Sequence, residues 1–406
     1  MVRSVLVSFS IAAIFTATCW AAKPHHKHVA AASKAAPAAS TPAVTVPLVA
    51  GMAIPTPPQV DARAYIVADY QTGKVLAASN ATQRMEPASL TKLMTAYIVF
   101  QELKLGKLKL EDMITVSEHA WRSEGSRTFI ELGKPVSVND LILGMIVQSG
   151  NDATIALAER IAGTEDTFAQ LMNSTAKSLN MVGSHFENST GLPSPQHYTT
   201  ARDMSLLAIA MIRDFPQYYK YYSVREFEHN GIKQQNRNGL LEKDPSVDGL
   251  KTGHTDSAGF CLVTSSHREG MRLVSVVLGS SSMKARENAS AALLSYGFTF
   301  YDTKLIIKGG AALATTHVWK AANPTAELGI NDDLYMTLPR GQSDVKTTVE
   351  VLPKLIAPLG ADANVGTVHV FNGKDALTNV ALRPLKPVAA GGWWRRLIDT
   401  IRLWFV

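Results

Sequence analysis

Hydrophobic spacing divides the chain into segments of different period. Ala64 to Asp69 is a nearly continuous apolar run that stops at Thr72-Gly73, which predicts a buried strand and a turn. After Pro87-Ala88 the apolar positions Leu90, Leu93, Met94 and Tyr97 recur at helical spacing, so a helix begins beside Ser89 and Gly106 ends it. Two more apolar helices are expected over Leu141 to Val147 and Ala153 to Ile161, with Ser149-Gly150-Asn151 as the loop between them. Asp248-Gly249 reads as a turn that delivers Lys251-Thr252-Gly253 on an edge strand. Gly259 to Thr264 and Arg272 to Gly279 alternate as a hairpin joined through His267-Arg268-Glu269-Gly270. Short strands then dominate: Leu334 to Leu338, Thr347 to Leu352, Thr367 to Phe371 and Leu377 to Leu382, with Asn372-Gly373 as a two-residue hairpin turn. The pattern predicts a mixed α/β region over 59–300 and a small all-β domain over 301–388.

Both ends differ from this body. Arg3, the apolar run Val5 to Phe15 and the small residues Thr16 to Ala22 form a signal peptide over 1–22, cleaved after Ala21 or Ala22. An uncleaved anchor is the competing reading, and Cys19 lacks the preceding residues of a lipoprotein site. Residues 23–58 hold ten Ala and seven Pro and almost nothing large enough for a core, so they read as a linker. His25, His26 and His28 within it read as a solvated tail rather than a metal site. Over 389–406 a helix is expected after a Gly391-Gly392 hinge. Trp394, Leu397, Ile398, Ile401, Trp404 and Phe405 fall on one side of it, and Arg395, Arg396, Asp399 and Arg402 on the other. It is too short to span a bilayer but suits the interface of an anionic membrane. The competing reading is a helix docked on a neighbouring domain.

The 406 residues are 46% hydrophobic and 18% charged, which speaks against wholesale disorder and against a polytopic membrane protein. The net charge of +6 would raise nucleic acid as a partner if it lay on one surface. Instead residues 1–60 carry +4 and residues 391–406 carry +2, leaving 61–390 neutral, so no nucleic acid partner is expected. With Cys19 in the leader, Cys261 remains alone in an apolar stretch and reads as packed, with no intramolecular disulfide possible.

Three motifs carry candidate chemistry: Ser89-Leu-Thr-Lys92, Ser149-Gly-Asn151 and Lys251-Thr-Gly253. The first two patterns also occur elsewhere, as in Ser174–Lys177 and Ser178–Asn180, so order and spacing matter more than presence. Ser89 and Lys92, three apart on a helix, share a face, and the amine can take the hydroxyl proton if burial and a nearby cation such as Lys251 depress its pKa. The loop at Ser149 and Asn151 can offer a hydroxyl for proton relay and an amide for a substrate carbonyl. An edge strand at Lys251 can pair with an extended peptide while Lys251 and Thr252 attract a carboxylate. Arg202 reads as a helix-start or pairing residue, and Tyr218, Tyr219, Tyr221 and Tyr222 as packing residues.

In this order the motifs resemble those of the active-site serine penicillin-binding enzymes and serine β-lactamases. Pro87-Ala-Ser-Leu-Thr-Lys-Leu-Met-Thr95, Gln148-Ser-Gly-Asn-Asp-Ala153, Asn236-Arg-Asn-Gly-Leu240 and Val247-Asp-Gly-Leu-Lys-Thr-Gly-His254 are most similar to the low-molecular-mass penicillin-binding proteins, the serine-type D-alanyl-D-alanine carboxypeptidases of peptidase family S11. The resemblance implies a β-lactamase/transpeptidase-like α/β (α+β) catalytic domain, a trailing all-β domain and an amphipathic C-terminal helix. It implies Ser89 as acylated nucleophile, Lys92 as its base, Ser149 as proton relay and Asn151 as ligand of the peptide carbonyl. Lys251, Thr252 and Gly253 would line the substrate strand, with the first two facing the carboxylate. The backbone N–H groups of Ser89 and His254 would form the oxyanion hole, and Arg286 would help hold the carboxylate. Here Ala285-Arg-Glu-Asn288 stands where the family usually has Gly-Arg-Glu-Ala.

The implied substrate is a peptidoglycan pentapeptide, with β-lactam antibiotics as acylating agents and neither a metal nor an organic cofactor. The implied place is the periplasm, on the outer face of the inner membrane. Competing functions are a β-lactamase, a DD-endopeptidase and a non-catalytic peptidoglycan-binding protein. Against the first, the only Glu-x-x-x-Asn between the two later motifs is Glu226–Asn230, too close to Lys251 for a deacylating loop. Against the last stand the intact serine and both lysines.

Overall fold

The main sheet draws its strands from both ends of the first region. They are β1 (Ala64–Asp69), β2 (Val75–Ser79), β3 (Val247–Thr255), β4 (Gly259–Arg268) and β5 (Met271–Ser280). All pair antiparallel in the order β2-β1-β5-β4-β3, which leaves β3, with its Lys251-Thr252-Gly253, at an edge. This computed structural model describes residues 54–342 and 344–405. The expected leader, the three histidines and most of the expected linker lie outside the described residues. Two residues near the end of the expected linker touch the folded region: Tyr296 donates its hydroxyl to the Pro55 carbonyl (3.0 Å), and Ile54 packs against the same cluster.

Both faces of the sheet are buried, and period-two alternation sorts the side chains. From β5, Val274, Val276 and Leu278 enter the same core as Leu93, Met94 and Met204, whereas Leu273 and Val277 pack with Leu293 and Leu294. Each such side chain contributes roughly 2 kcal/mol by leaving water. The longer helices that supply these partners are α1 (Lys92–Lys104), α2 (Val138–Leu143), α3 (Asn151–Ala162), α4 (Glu165–Ser178), α5 (Ala201–Asp214) and α6 (Met283–Phe300). Ser137, Thr164, Thr200 and Ser282 each cap one of them by accepting a backbone N–H three residues on. Thr200 places α5 with Arg202 in its first turn, where Nη1 lies 3.5 Å from Asp203 Oδ1. Tyr219, Tyr221 and Tyr222 are buried, as the packing reading expects.

Several local boundaries differ from the sequence reading. Asp248-Gly249 is no turn: it lies inside β3, where the register slips by one residue between Val247 and Gly249. The Asp248 carboxylate accepts from Tyr219 Oη (2.7 Å) and Arg272 (2.7 Å), so the ladder continues through the irregularity. The β4–β5 turn is only Glu269-Gly270, both in the left-handed region (φ 48° and 84°), as a tight hairpin requires.

α6 ends at Phe300 and an all-β region follows directly. Its strands are β6 (Tyr301–Ile307), β7 (Ala314–Trp319), β8 (Thr325–Gly329), β9 (Leu334–Pro339), β10 (Val345–Val351), β11 (Leu355–Ile356), β12 (Gly366–Asn372) and β13 (Asp375–Pro384). They form a pair, β6-β9, and a six-stranded sheet, β10-β12-β13-β8-β7-β11, around Val318, Leu328, Val368 and Leu382. The β12–β13 loop is Gly373-Lys374, one residue later than expected, because Asn372 still pairs with Asp375. Thr72, Thr303 and Thr337 join this region to β1 through hydroxyl contacts and through Asp69, which accepts from Thr72 and Thr303.

The last helix, α7 (Trp393–Arg402), packs by its polar face. Asp399 is buried and accepts the Lys320 N–H (2.7 Å), and Gly391 donates to the Lys320 carbonyl (2.8 Å). Gly391 is therefore a fixed contact and not a free hinge. Trp393, Trp394, Leu397, Ile398 and Ile401, and Trp404 and Phe405 just beyond, are all exposed. Among the described residues no helix is long and apolar enough to cross a membrane.

Candidate active site

Ser89 stands in a single 3-10 turn, Ala88–Thr91, that feeds directly into α1. Ala88 has a positive φ of 48°, so the chain enters the turn sharply and leaves Ser89 half-buried at its start. β3 lies against this turn. A Cβ at Gly253 would lie 3.0 Å from the Pro87 carbonyl and 3.2 Å from the Leu90 nitrogen, so a side chain there would press on the turn and glycine eases the close approach. That contact sets the next residue, His254, beside the serine turn. The His254 ring itself is exposed and lies on Phe260, with centroids 4.0 Å apart.

Lys92 is 1% exposed, and its Nζ reaches three oxygens: Ser89 Oγ at 3.0 Å, Asn151 Oδ1 at 2.6 Å and the Thr190 carbonyl at 2.7 Å. Burial is the largest influence on its titration, and Arg237 acts in the same direction. Against the opposing pull of Glu165 and Asp152, the amine is brought down to about 7. Lys251 is buried too; desolvation first, then Lys92, Arg237 and Arg286, hold it well below the ordinary lysine range. Its Nζ donates to the Thr252 carbonyl (3.1 Å).

Ser149 follows a widened helical turn, Gly144–Gln148, and takes a left-handed conformation (φ 66°). Its Oγ is buried and has no hydrogen-bond partner among the described residues. Asn151 opens α3, and its amide bridges Lys92 and the Glu124 carbonyl (2.5 Å). The neighbouring loop is held by Asp152, whose carboxylate accepts the N–H groups of Thr128 (2.8 Å) and Phe129 (2.9 Å).

Thus Ser89, Lys92 and Asn151 are joined by hydrogen bonds, and Ser149 lies beside Asn151. The cation that lowers Lys92 is Arg237, not the Lys251 expected from the sequence, whereas Lys92 does act on Lys251. Arg286 has a different setting. It is 3% exposed in the first turn of α6, and its guanidinium donates to the carbonyls of Gly253 (3.2 Å), Cys261 (3.4 Å) and Arg237 (3.5 Å). Cys261 is fully buried, and burial pushes its thiol up to about 11, as suits a packed residue.

The residue roles assigned from sequence omit two participants. Arg237 lies in Asn236-Arg-Asn-Gly-Leu240, a segment noted for its resemblance, yet only tertiary placement reveals its influence on both lysines. The Thr190 carbonyl is aimed by Asn188, whose Oδ1 accepts from Thr190 N (3.2 Å), Thr190 Oγ1 (3.1 Å) and Gly191 N (2.7 Å). No catalytic motif marks that loop.

Residues 52–282 match the D-alanyl-D-alanine carboxypeptidase family, and residues 301–389 match the C-terminal domain of penicillin-binding protein 5. The D-alanyl-D-alanine carboxypeptidase DacA of Escherichia coli is 42% identical over 361 residues, spanning 87% of this chain and 90% of that protein. The crystal structure of penicillin-binding protein 5 from Haemophilus influenzae superposes with a TM-score of 0.79 at 40% identity, covering 82% of this chain and 99% of that one. Penicillin-binding protein D2 of Listeria monocytogenes, in its ampicillin-bound form, superposes at 0.55 with 31% identity, over 59% of this chain and 98% of the other. With the family model covering residues 52–282 and a relative 42% identical over 87% of the chain, this protein belongs to the D-alanyl-D-alanine carboxypeptidase family, peptidase S11.

Proposed function

We propose that the protein removes the terminal D-alanine from peptidoglycan pentapeptide stems through an acyl-Ser89 intermediate. The observation that carries this is the environment of Lys92. A neutral amine has two N–H bonds and one lone pair. Asn151 Oδ1 and the Thr190 carbonyl accept the two N–H bonds, so the lone pair is left for the Ser89 hydroxyl 3.0 Å away. A titration near 7 makes the neutral form available at physiological pH.

In the first step Ser89 Oγ attacks the carbonyl carbon of the penultimate residue while its proton passes to Lys92. The oxyanion lies between the N–H groups of Ser89 and His254. Collapse breaks the C–N bond, and the leaving amine takes a proton relayed by Ser149, whose unpartnered Oγ is free to bond to it. Water then cleaves the ester. Asn151 still has a second N–H for the peptide carbonyl. Lys251, Thr252 and Arg237 face the departing carboxylate, while Gly253 lets the strand close in. Arg286, engaged with three carbonyls, braces β3 and helps hold the carboxylate through its positive charge. β-Lactams acylate the same serine on this reading, supported by the ampicillin-bound relative.

The expected domain limits are retained as part of this proposal: leader 1–22, linker 23–58, catalytic domain 59–300, β-domain 301–388 and anchor 389–406. The protein acts in the periplasm, with α7 on the outer face of the inner membrane. Support comes from α7 docking through Asp399, which turns its tryptophans outward and disfavours an apolar face buried on the neighbouring domain.

The test pairs a pentapeptide stem with a fluorescent penicillin, using wild type and Ser89→Ala. D-alanine release and covalent label, both lost in Ser89→Ala, are expected. Neither in the wild type would overturn the reading, and fast penicillin turnover without peptide cleavage would point to a β-lactamase. For the anchor, deleting 391–406 should abolish binding to anionic vesicles; binding that survives would refute it.

A further inference from the structure

Beside the serine turn lies a cavity of about 550 Å³ whose walls include Arg63, Arg84, Glu86, His197, Tyr198 and Ser257. Its walls belong to the same segments as the catalytic cleft. Glu86 is three residues before Ser89, Ser257 three after His254, and the His197 ring is hydrogen-bonded to Thr91 Oγ1 (2.9 Å) in the serine turn.

The charges in it are uneven. Arg63 donates to the backbone carbonyls of Ser257 (3.0 Å) and Ala258 (2.5 Å), and Arg84 stacks over Tyr198 at 4.2 Å. Among the described residues neither guanidinium has a carboxylate oxygen within 4.0 Å. Glu86, which accepts from Ser257 Oγ (2.5 Å), is the single carboxylate in the wall. Two guanidiniums without acid partners and one carboxylate match a ligand that ends in an anion with a cation beside it.

The direction of the substrate brings such a group here. With the leaving carboxylate at Lys251 and Thr252, a peptide paired on the open edge of β3 runs antiparallel to it. Its amino-terminal side then extends past His254 toward Thr255 and Ser257. At about 3.3 Å per residue, the residue preceding the acylated one is level with that end of the strand.

We infer that this cavity is a specificity subsite for the third residue of the stem, accepting a side chain that ends in a carboxylate and an ammonium. The inference rests on the carboxypeptidase reading. Arg84, with Arg63 behind it, takes the carboxylate, and Glu86 takes the ammonium.

Three synthetic pentapeptides test it, identical except for the third side chain. One ends in ammonium and carboxylate, one has that carboxylate converted to a carboxamide, and one ends in ammonium alone. Wild type should release D-alanine from the first with a kcat/KM about tenfold above the other two, the size of one charge-assisted hydrogen bond. Arg84→Gln should bring the three values together, and Arg84→Glu should place the carboxylate peptide last. Fluorescent penicillin bound at Ser89 verifies that each variant is folded. Equal values for the three peptides in wild type, or an equal fall for all three in Arg84→Gln, would overturn the subsite while leaving the carboxypeptidase reading intact. No release from any peptide and no penicillin label would instead strike at that reading.

Discussion

If Lys92 is the base, acylation of Ser89 must follow its deprotonation. At an apparent pKa of about 7, roughly one amine in ten is neutral at pH 6 and nine in ten at pH 8, so the acylation rate rises about tenfold between them. Arg237 is the largest charge holding that value down, second only to burial. Arg237→Gln removes it and should move the midpoint upward by about half to one unit, slowing acylation three- to tenfold on the acid side. Stopped-flow acylation by a fluorescent penicillin at saturation, from pH 5.5 to 9.5, reads this midpoint apart from any loss of carboxylate affinity. Two results would refute the reasoning: a rate independent of pH across that range, or an Arg237→Gln profile that falls in height with its midpoint unmoved.

The same burial has a cost in stability. Moving the amine from 10.5 to about 7 corresponds to on the order of 5 kcal/mol. Between these values the unfolded chain holds the proton and the native chain does not, so the penalty is full below pH 7 and fades as pH rises toward 10.5. Lys92→Met should therefore be more stable than wild type at pH 6, with the advantage shrinking at pH 10 in paired urea titrations. Gly191 has φ 88°, and a Cβ there would run into the Ala88 carbonyl, so Gly191→Ala should cost roughly 2 to 4 kcal/mol, read as a fall in Tm. Asn188→Ala should slow acylation about tenfold by releasing the Thr190 carbonyl from Lys92, while Asn188→Asp, which keeps the acceptor, should retain most of the rate.

Much of this site can be read along the chain because its chemistry is local. Ser89 and Lys92 share one turn, so their contact follows from helical geometry alone. Gly253 and Lys251 stand two apart on one strand and so share a face, and the amphipathic stripe of α7 is periodic in the sequence itself. The turn expected at Asn372-Gly373 falls one residue later, and the one expected at Asp248-Gly249 is an irregularity inside a strand, because pairing partners remote in sequence decide how far a ladder runs.

Other features required the chain to fold. Lys92 titrates low because folding buries it and brings Arg237 near it from a separate segment, and burial has no signature in either segment alone. Arg286, expected to help hold the carboxylate, also donates to the backbone carbonyls of Gly253 and Cys261, contacts with strands that its own helix does not announce. The periodicity of α7 leaves open which face meets the protein, and the Asp399 contact with Lys320 turns the tryptophans outward. Residue spacing sets local geometry through covalent connectivity, so motif order and helix faces are legible in one dimension. Solvent exclusion and electric field arise from groups brought together by folding, and these convert a lysine on a helix into a base.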